Sequence, residues 1–183
     1  MKNFLLAFFS LTLLSLTAVK GVVIPGAASP VFYLVASSSA SGSNLLPLRI
    51  NGGSGGYSTL AGSGPIGYFY FYQGVLTEAP PPYPPSPTTV TSRATLGFIP
   101  ISTGCSTYGQ LGFSSSSSDK CASYSTFGIS SDNENSQLGA QLVYNYVGGF
   151  YSCGSGKDVW YKVNTGDGPS GCDPIGLWTV PVA

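Results

Sequence analysis

Residues Gln137–Val147 read QLGAQLVYNYV, and their alternation decides the fold class. Leu138, Ala140, Leu142, Tyr144 and Tyr146 fall on one face of an extended chain. Gln137, Gly139, Gln141 and Asn145 fall on the other, interrupted by Val143. Successive side chains of a strand point to opposite faces, so a period of two predicts a half-buried strand of an antiparallel sheet. Short apolar runs with the same period, punctuated by Gly, Pro and Ser, predict further strands on both sides of it. They are Val31–Ala36, Leu45–Ile50, Tyr57–Leu60, Gly67–Gln73, Ala94–Ile99, Gly109–Phe113, Ser123–Ile129, Phe150–Cys153, Val159–Val163 and Leu177–Val180. No stretch carries a convincing helical period. Many short strands at regular spacing predict a compact all-β antiparallel domain, a closed barrel or a sandwich. A β-trefoil also suits the strand count, although no clear threefold repeat is present.

Residues 1–21 are expected to be a signal peptide rather than part of the fold. Lys2 is followed by the apolar run Phe4–Val19 (FLLAFFSLTLLSLTAV), then by small residues at Ala18 and Gly21. That run falls short of the roughly 20 apolar residues a membrane span wants. Thr179–Ala183 carries no long apolar tail, so no lipid anchor of the GPI type is expected. Residues 22–183 then form a single domain with a core of its own. Within it, Ala79–Thr91 (APPPYPPSPTTVT) holds six prolines and is expected to be an extended surface loop. An inter-domain linker or an O-glycosylated spur are the alternatives. The serine tracts Ser37–Ser43 and Ser114–Ser118 read as loop tips, and no Asn-x-Ser/Thr sequon occurs.

The chain has no histidine. No Ser-His-Asp or Cys-His nucleophile and no imidazole metal site can be assembled, and no side chain ordinarily titrates between pH 5 and 8. Charged residues make up only 8% of the chain, and no basic cluster exists to neutralise phosphates, so no nucleic-acid partner is expected. The four cysteines, Cys105, Cys121, Cys153 and Cys172, read as two disulfides in a secreted chain. Three connectivities are open, of which sequential pairing is expected because both pairs then close short loops. A four-thiolate metal site is disfavoured by the lack of any Cys-x-x-Cys pair. No metal and no cofactor are expected.

Several motifs match in form only. Gly52–Gly56 (GGSGG) has the G-x-S-x-G pattern without the helix or the histidine that a nucleophile elbow needs, so it reads as a turn. Ser117-x-x-Lys120 lies in a serine tract and lacks companion motifs. Gly156-Lys157 lacks the glycine spacing and the following hydroxyl of a phosphate loop. Paired carboxylates are the remaining catalytic option, because glycoside hydrolysis needs only two acids. Asp132 and Glu134 sit in the polar run Ser130–Ser136 (SSDNENS), where both should be solvated, and Asp158, Asp167 and Asp173 come late in the chain. Calcium is another reading of that polar run, which lacks the twelve-residue EF-hand pattern. No catalytic residue is assigned.

The aromatic residues are the positive clue. In Gly67–Gln73 (GYFYFYQ), Phe69 and Phe71 should face the core, leaving Tyr68, Tyr70 and Tyr72 as a row able to stack sugar rings. In Asp158–Val163 (DVWYKV), Val159, Tyr161 and Val163 should look inward. Trp160 then stands between Asp158 and Lys162 on the polar face, as a binding platform would. The plainer reading is that strands favour aromatic residues and a loop covers them.

Phe32–Ala36 (FYLVA), Leu46–Gly62 (LPLRINGGSGGYSTLAG), Cys121–Phe150 and Tyr151–Pro181 resemble stretches of uncharacterised secreted proteins of mushroom-forming (basidiomycete) fungi. The resemblance spans nearly the whole chain after residue 21 and implies a secreted fungal protein. It implies no activity and no catalytic residue. Taken together, the expectation is a secreted, non-catalytic protein at or near the fungal cell wall, with cell-wall polysaccharide as its partner. A carboxylate-based glycoside hydrolase, or a structural or interaction protein with no small ligand, are the alternatives.

Overall fold

The computed structural model describes residues 26–52, 56–79, 95–101, 104–115, 120–130 and 139–182. The expected signal peptide, the prolines of the Pro-rich stretch, Asp132 and Glu134 lie outside these residues. Thirteen strands join in one antiparallel sheet. In chain order they are β1 (Phe32–Ser37), β2 (Arg49–Asn51), β3 (Tyr57–Thr59), β4 (Phe69–Tyr72), β5 (Val75–Glu78), β6 (Thr95–Phe98) and β7 (Tyr108–Gln110). Then follow β8 (Gly112–Ser114), β9 (Phe127–Ser130), β10 (Gln141–Tyr144), β11 (Gly149–Cys153), β12 (Asp158–Lys162) and β13 (Asp173–Pro181). The one helical element among the described residues is a 3₁₀ turn at Ser41–Ser43.

Pairing runs β1-β4-β5-β6-β8-β3-β12-β11-β13 and returns to β1, which pairs with β13 over six residues from Phe32↔Pro181 to Ser37↔Gly176. The sheet therefore closes, but β2, β7, β10 and β9 branch from the ring, so it is not a plain barrel. Closure follows from the alternation of its first and last strands. Phe32, Leu34 and Ala36 of β1 and Ile175 and Leu177 of β13 point into one core, together with Phe69, Leu76, Phe113, Phe150 and Tyr161. Tyr161 packs edge-on against Tyr144 and Phe150, and its hydroxyl donates to the Tyr144 carbonyl at 3.0 Å. A buried tyrosine needs such a partner.

A second, smaller cluster lies on the opposite face of β4. Val31, Tyr70, Ala79 and Val182 are buried there, with Ala27, Tyr33 and Tyr68 against them. The chain just before β1 covers this face: the Ala28 N–H donates to the Phe71 carbonyl, and the Phe71 N–H donates to Ser29 Oγ. Ala79, at the head of the Pro-rich stretch, belongs to this cluster rather than to a loop, and its N–H donates to the Tyr68 carbonyl.

Three further positions depart from the sequence reading. The strand expected over Gln137–Val147 ends at Tyr144, because Asn145 and Tyr146 both take a φ of 52° and reverse the chain into β11. Leu142 and Tyr144 are buried as expected, whereas Tyr146 is 77% exposed at the turn. Strand β5 was not foreseen; Gln73 and Gly74, at φ 49° and 79°, form a tight hairpin turn that folds it back on β4. In the first serine tract, Ser43 is not a loop tip but fully buried, donating to Asp173 Oδ2 at 3.0 Å and bonded to Ser152 Oγ at 3.2 Å.

Both disulfides pair sequentially, Cys105 with Cys121 and Cys153 with Cys172. Each closes a loop short enough to contribute about 3 kcal/mol in the chain-entropy account. No helix among the described residues is long and apolar enough to cross a membrane.

Candidate functional site

The expected row of tyrosines on β4 does not form an open platform. Phe69 and Phe71 do face the main core, but Tyr70 is only 2% exposed, because residues 26–31 and Val182 cover that face. Tyr68 is half-buried and packs against Tyr33, whose hydroxyl donates to the Tyr68 hydroxyl at 3.0 Å. That bond, more than burial, pushes the Tyr33 phenol up to about 12. Tyr72, beside the hairpin turn, is 41% exposed and stands alone. Burial is the physical reason the row is unavailable as a stacking surface.

Trp160 has a different setting. Val159 and Tyr161 are buried on the core side of β12, so Trp160 projects outward, as its alternation requires. It is half-buried, and the strands around it bring further residues to the same face. Trp160 lies opposite Tyr151 of β11 on one side and opposite Gln110 of β7 on the other. Two residues along, Gly112 of β8 lies opposite Tyr57 of β3. Strands β3 and β12 pair directly at Thr59↔Asp158, then part to admit the chain of β7 and β8 between them. The inward neighbours Ser58 and Leu111 are fully buried, so Tyr57, Gln110, Gly112 and Trp160 share the outer face.

Tyr57, Gln110 and Trp160 line an open groove of about 620 Å³. Its aromatic members are Tyr57, Tyr108 and Trp160, with Gln110 between them and Pro100 and Ser106 at the side. The Cys105–Cys121 disulfide forms part of the same wall. Tyr57 is 43% exposed, and the Tyr108 and Trp160 rings lie 6.1 Å apart at an angle of 36°. Gln110 Nε2 reaches the Ser58 carbonyl at 3.5 Å, which holds its amide over β3. The aromatic surface continues past Tyr57 to Phe98, with ring centroids 6.4 Å apart, and on to Tyr124, 5.7 Å further.

The loop after β12 supports this face. Lys162, expected on the polar face, is buried at 3% exposure; its Nζ donates to the Pro169 carbonyl and lies 5.1 Å over the Tyr151 ring. Asp167 accepts from the Asn164 backbone N–H at 3.0 Å and from Asn164 Nδ2 at 3.2 Å. The backbone bond first, and a further hydrogen bond from the Thr107 side chain, hold its carboxyl below the usual carboxylate range. Asp173 is engaged by Ser43 and by Lys157, whose Nζ is 3.5 Å away. None of Asp158, Asp167 and Asp173 lines the groove. Among the described residues, no group of three or more Cys, Asp or Glu side chains is gathered that could hold a metal ion.

Of the ligand-binding residues expected from sequence, only Trp160 enters this groove, beside the expected cysteines Cys105 and Cys121. Tyr57, Tyr108 and Gln110 were missed because nothing local marks them. Their strands come together only through pairing between segments about fifty residues apart or more. No family model matches the chain, and no curated protein and no solved structure matches it either.

Proposed function

We propose that this is a secreted, non-catalytic protein of the fungal extracellular space or cell wall, and that it binds carbohydrate through the groove around Trp160. The single observation that carries the binding reading is the convergence of Tyr57, Tyr108, Gln110 and Trp160 on one outer face of paired strands. The weakly positive C–H face of a pyranose ring fits the electron-rich face of an aromatic side chain, and the Gln110 amide and tyrosine hydroxyls suit its hydroxyl groups. Sites of this kind combine apolar and aromatic walls with a few placed polar groups. Secretion is supported by the apolar leader Phe4–Val19 and by two formed disulfides, which persist in oxidising compartments. The resemblance to secreted proteins of mushroom-forming fungi supports the source.

The test is retention of the purified mature protein on insoluble fungal cell-wall polysaccharide, compared with the Trp160→Ala variant. Retention that falls about tenfold or more in the variant is the expected result. Retention unchanged by the substitution removes Trp160 from the site. Release of soluble sugar during the incubation would instead make the protein a glycoside hydrolase.

A further inference from the structure

We infer that the groove takes an uncharged glycan chain of about three sugar units or more, lying across the strands rather than along them. This rests on the carbohydrate reading above and names the class of ligand. Charge carries the first half. No Lys, Arg, Asp or Glu lines the groove among the described residues. Uronate and sulfate groups are held by charge-assisted hydrogen bonds from Arg or Lys, and burying such a group without one is costly. Ring faces and neutral hydrogen-bonding groups, which Trp160, Tyr57 and Gln110 supply, select a chain that brings no charge.

Strand pairing carries the second half. Trp160 lies opposite Gln110, and Tyr57 lies opposite Gly112, so the chain of β7 and β8 separates the two rings. Neighbouring strands lie about 5 Å apart, and Gln110 and Gly112 lie two residues, about 7 Å, apart along the chain, which puts Trp160 and Tyr57 about 12 Å from each other on a diagonal across the sheet. One strand spacing is comparable to the length of one pyranose unit. The two rings therefore meet the first and third sugars of a chain that crosses the strands on that diagonal, with the Gln110 amide beside Trp160. Gly112 leaves room for the Phe98 ring beside Tyr57, since a Cβ at that position would fall 2.7 Å from that ring and 3.2 Å from Tyr57 Cδ1.

The experiment is calorimetric titration of the wild-type protein with uncharged β-glucan and chitin oligosaccharides of increasing length, and with oligogalacturonates of the same lengths. Affinity is expected to rise about tenfold between the disaccharide and the tri- or tetrasaccharide and then level off. Tyr57→Ala and Trp160→Ala should each remove that step, and the acidic series should bind about tenfold more weakly or worse. A monosaccharide that binds as tightly as the tetrasaccharide, or an acidic chain that binds more tightly than the neutral one, overturns the inference and leaves carbohydrate binding standing. Absence of binding to every glycan, charged or neutral, overturns both.

Discussion

The ring of Tyr108 packs against Gly168, which sits at a φ of +64°, where an added Cβ would collide with Cδ2 of that ring. The loop that carries Gly168 is tied down by Cys172, bonded to Cys153, and by Asp167, which binds Asn164 and Thr107. One wall of the groove is thus set by a loop that does not itself line it.

Replacing Gly168 by Ala should therefore act on binding and stability together. The left-handed backbone costs a non-glycine residue about 1–2 kcal/mol, and the methyl group must also displace Tyr108. Glycan affinity should fall several-fold while the fold survives. Gly166→Ala is the control, since its φ is not left-handed and nothing lies within 4 Å of its Cβ position. Isothermal titration and urea unfolding of both variants check this, and equal behaviour of the two would remove the positioning role.

Acid should loosen the same loop. The Asp167 carboxyl is held below its ordinary range by hydrogen bonds that favour the ionised form. Its contribution is therefore present above the ordinary carboxylate pKa of about 4 and is lost as pH falls through the lowered value. With no histidine in the chain, binding should be flat from about pH 5 to 8 and should fall below about pH 4. In Asp167→Asn the acid-dependent part should vanish, leaving one lower plateau. Binding measured across this range in both proteins distinguishes the loop from general acid unfolding, which would bend both curves alike.

At the alkaline end the sign reverses. Burial, helped by the neighbouring Tyr144, raises the Tyr161 phenol to about 12, and the bond to Tyr68 raises Tyr33 to about 12. Both contribute stability that is full below about pH 10 and is lost as pH rises towards 12, because the unfolded phenols ionise first. Tyrosinate absorbance should show a late step that coincides with loss of the folded circular dichroism signal. Tyr161→Phe should shrink that step.

The fold class was legible because β1, β10 and most of β13 alternate between buried and more exposed positions, and alternation is a local property. Closure of the sheet was only partly so, since it depends on β1 meeting β13 across nearly the whole chain. The site divided in the same way. Trp160 could be read from its own strand, whereas Tyr57 and Gln110 depend on registers that only the closed sheet defines. Tyr70 shows the opposite case: its alternation was read correctly, yet alternation says nothing of a terminal segment that lies over the outer face.

Ser58 offers a stability test on the inner side of the groove wall. Its Oγ is fully buried and has no hydrogen-bond partner among the described residues. A desolvated hydroxyl without a partner costs about 1–3 kcal/mol. Ser58→Ala removes it while keeping the backbone N–H bond to the Leu111 carbonyl and the carbonyl that Gln110 reaches. Stability should rise by about 1 kcal/mol, with the denaturant midpoint moving up at constant slope and glycan affinity unchanged. A fall in the midpoint would mean the hydroxyl has a partner in solution.

The sharpest comparison sets Tyr70 against Trp160. Both lie on faces of the sheet away from the main core, but Tyr70 is sealed under Val31, Ala79 and Val182 while Trp160 is half-buried at the groove. Tyr70→Ala should cost about 3–5 kcal/mol, as large-to-small changes at buried aromatic positions do. For a domain of this size that lowers the melting temperature by roughly 10 °C or more. Glycan affinity of the fraction that stays folded should not change. Trp160→Ala should cost less, about 1–2 kcal/mol, because the indole is only partly buried and lies at the open groove, and should remove most of the affinity. Melting curves and titrations of the two variants side by side give opposite patterns if the groove is the site. A Trp160 variant that melts as low as the Tyr70 variant and still binds glycan would show the indole to be a packing residue and place the binding face elsewhere.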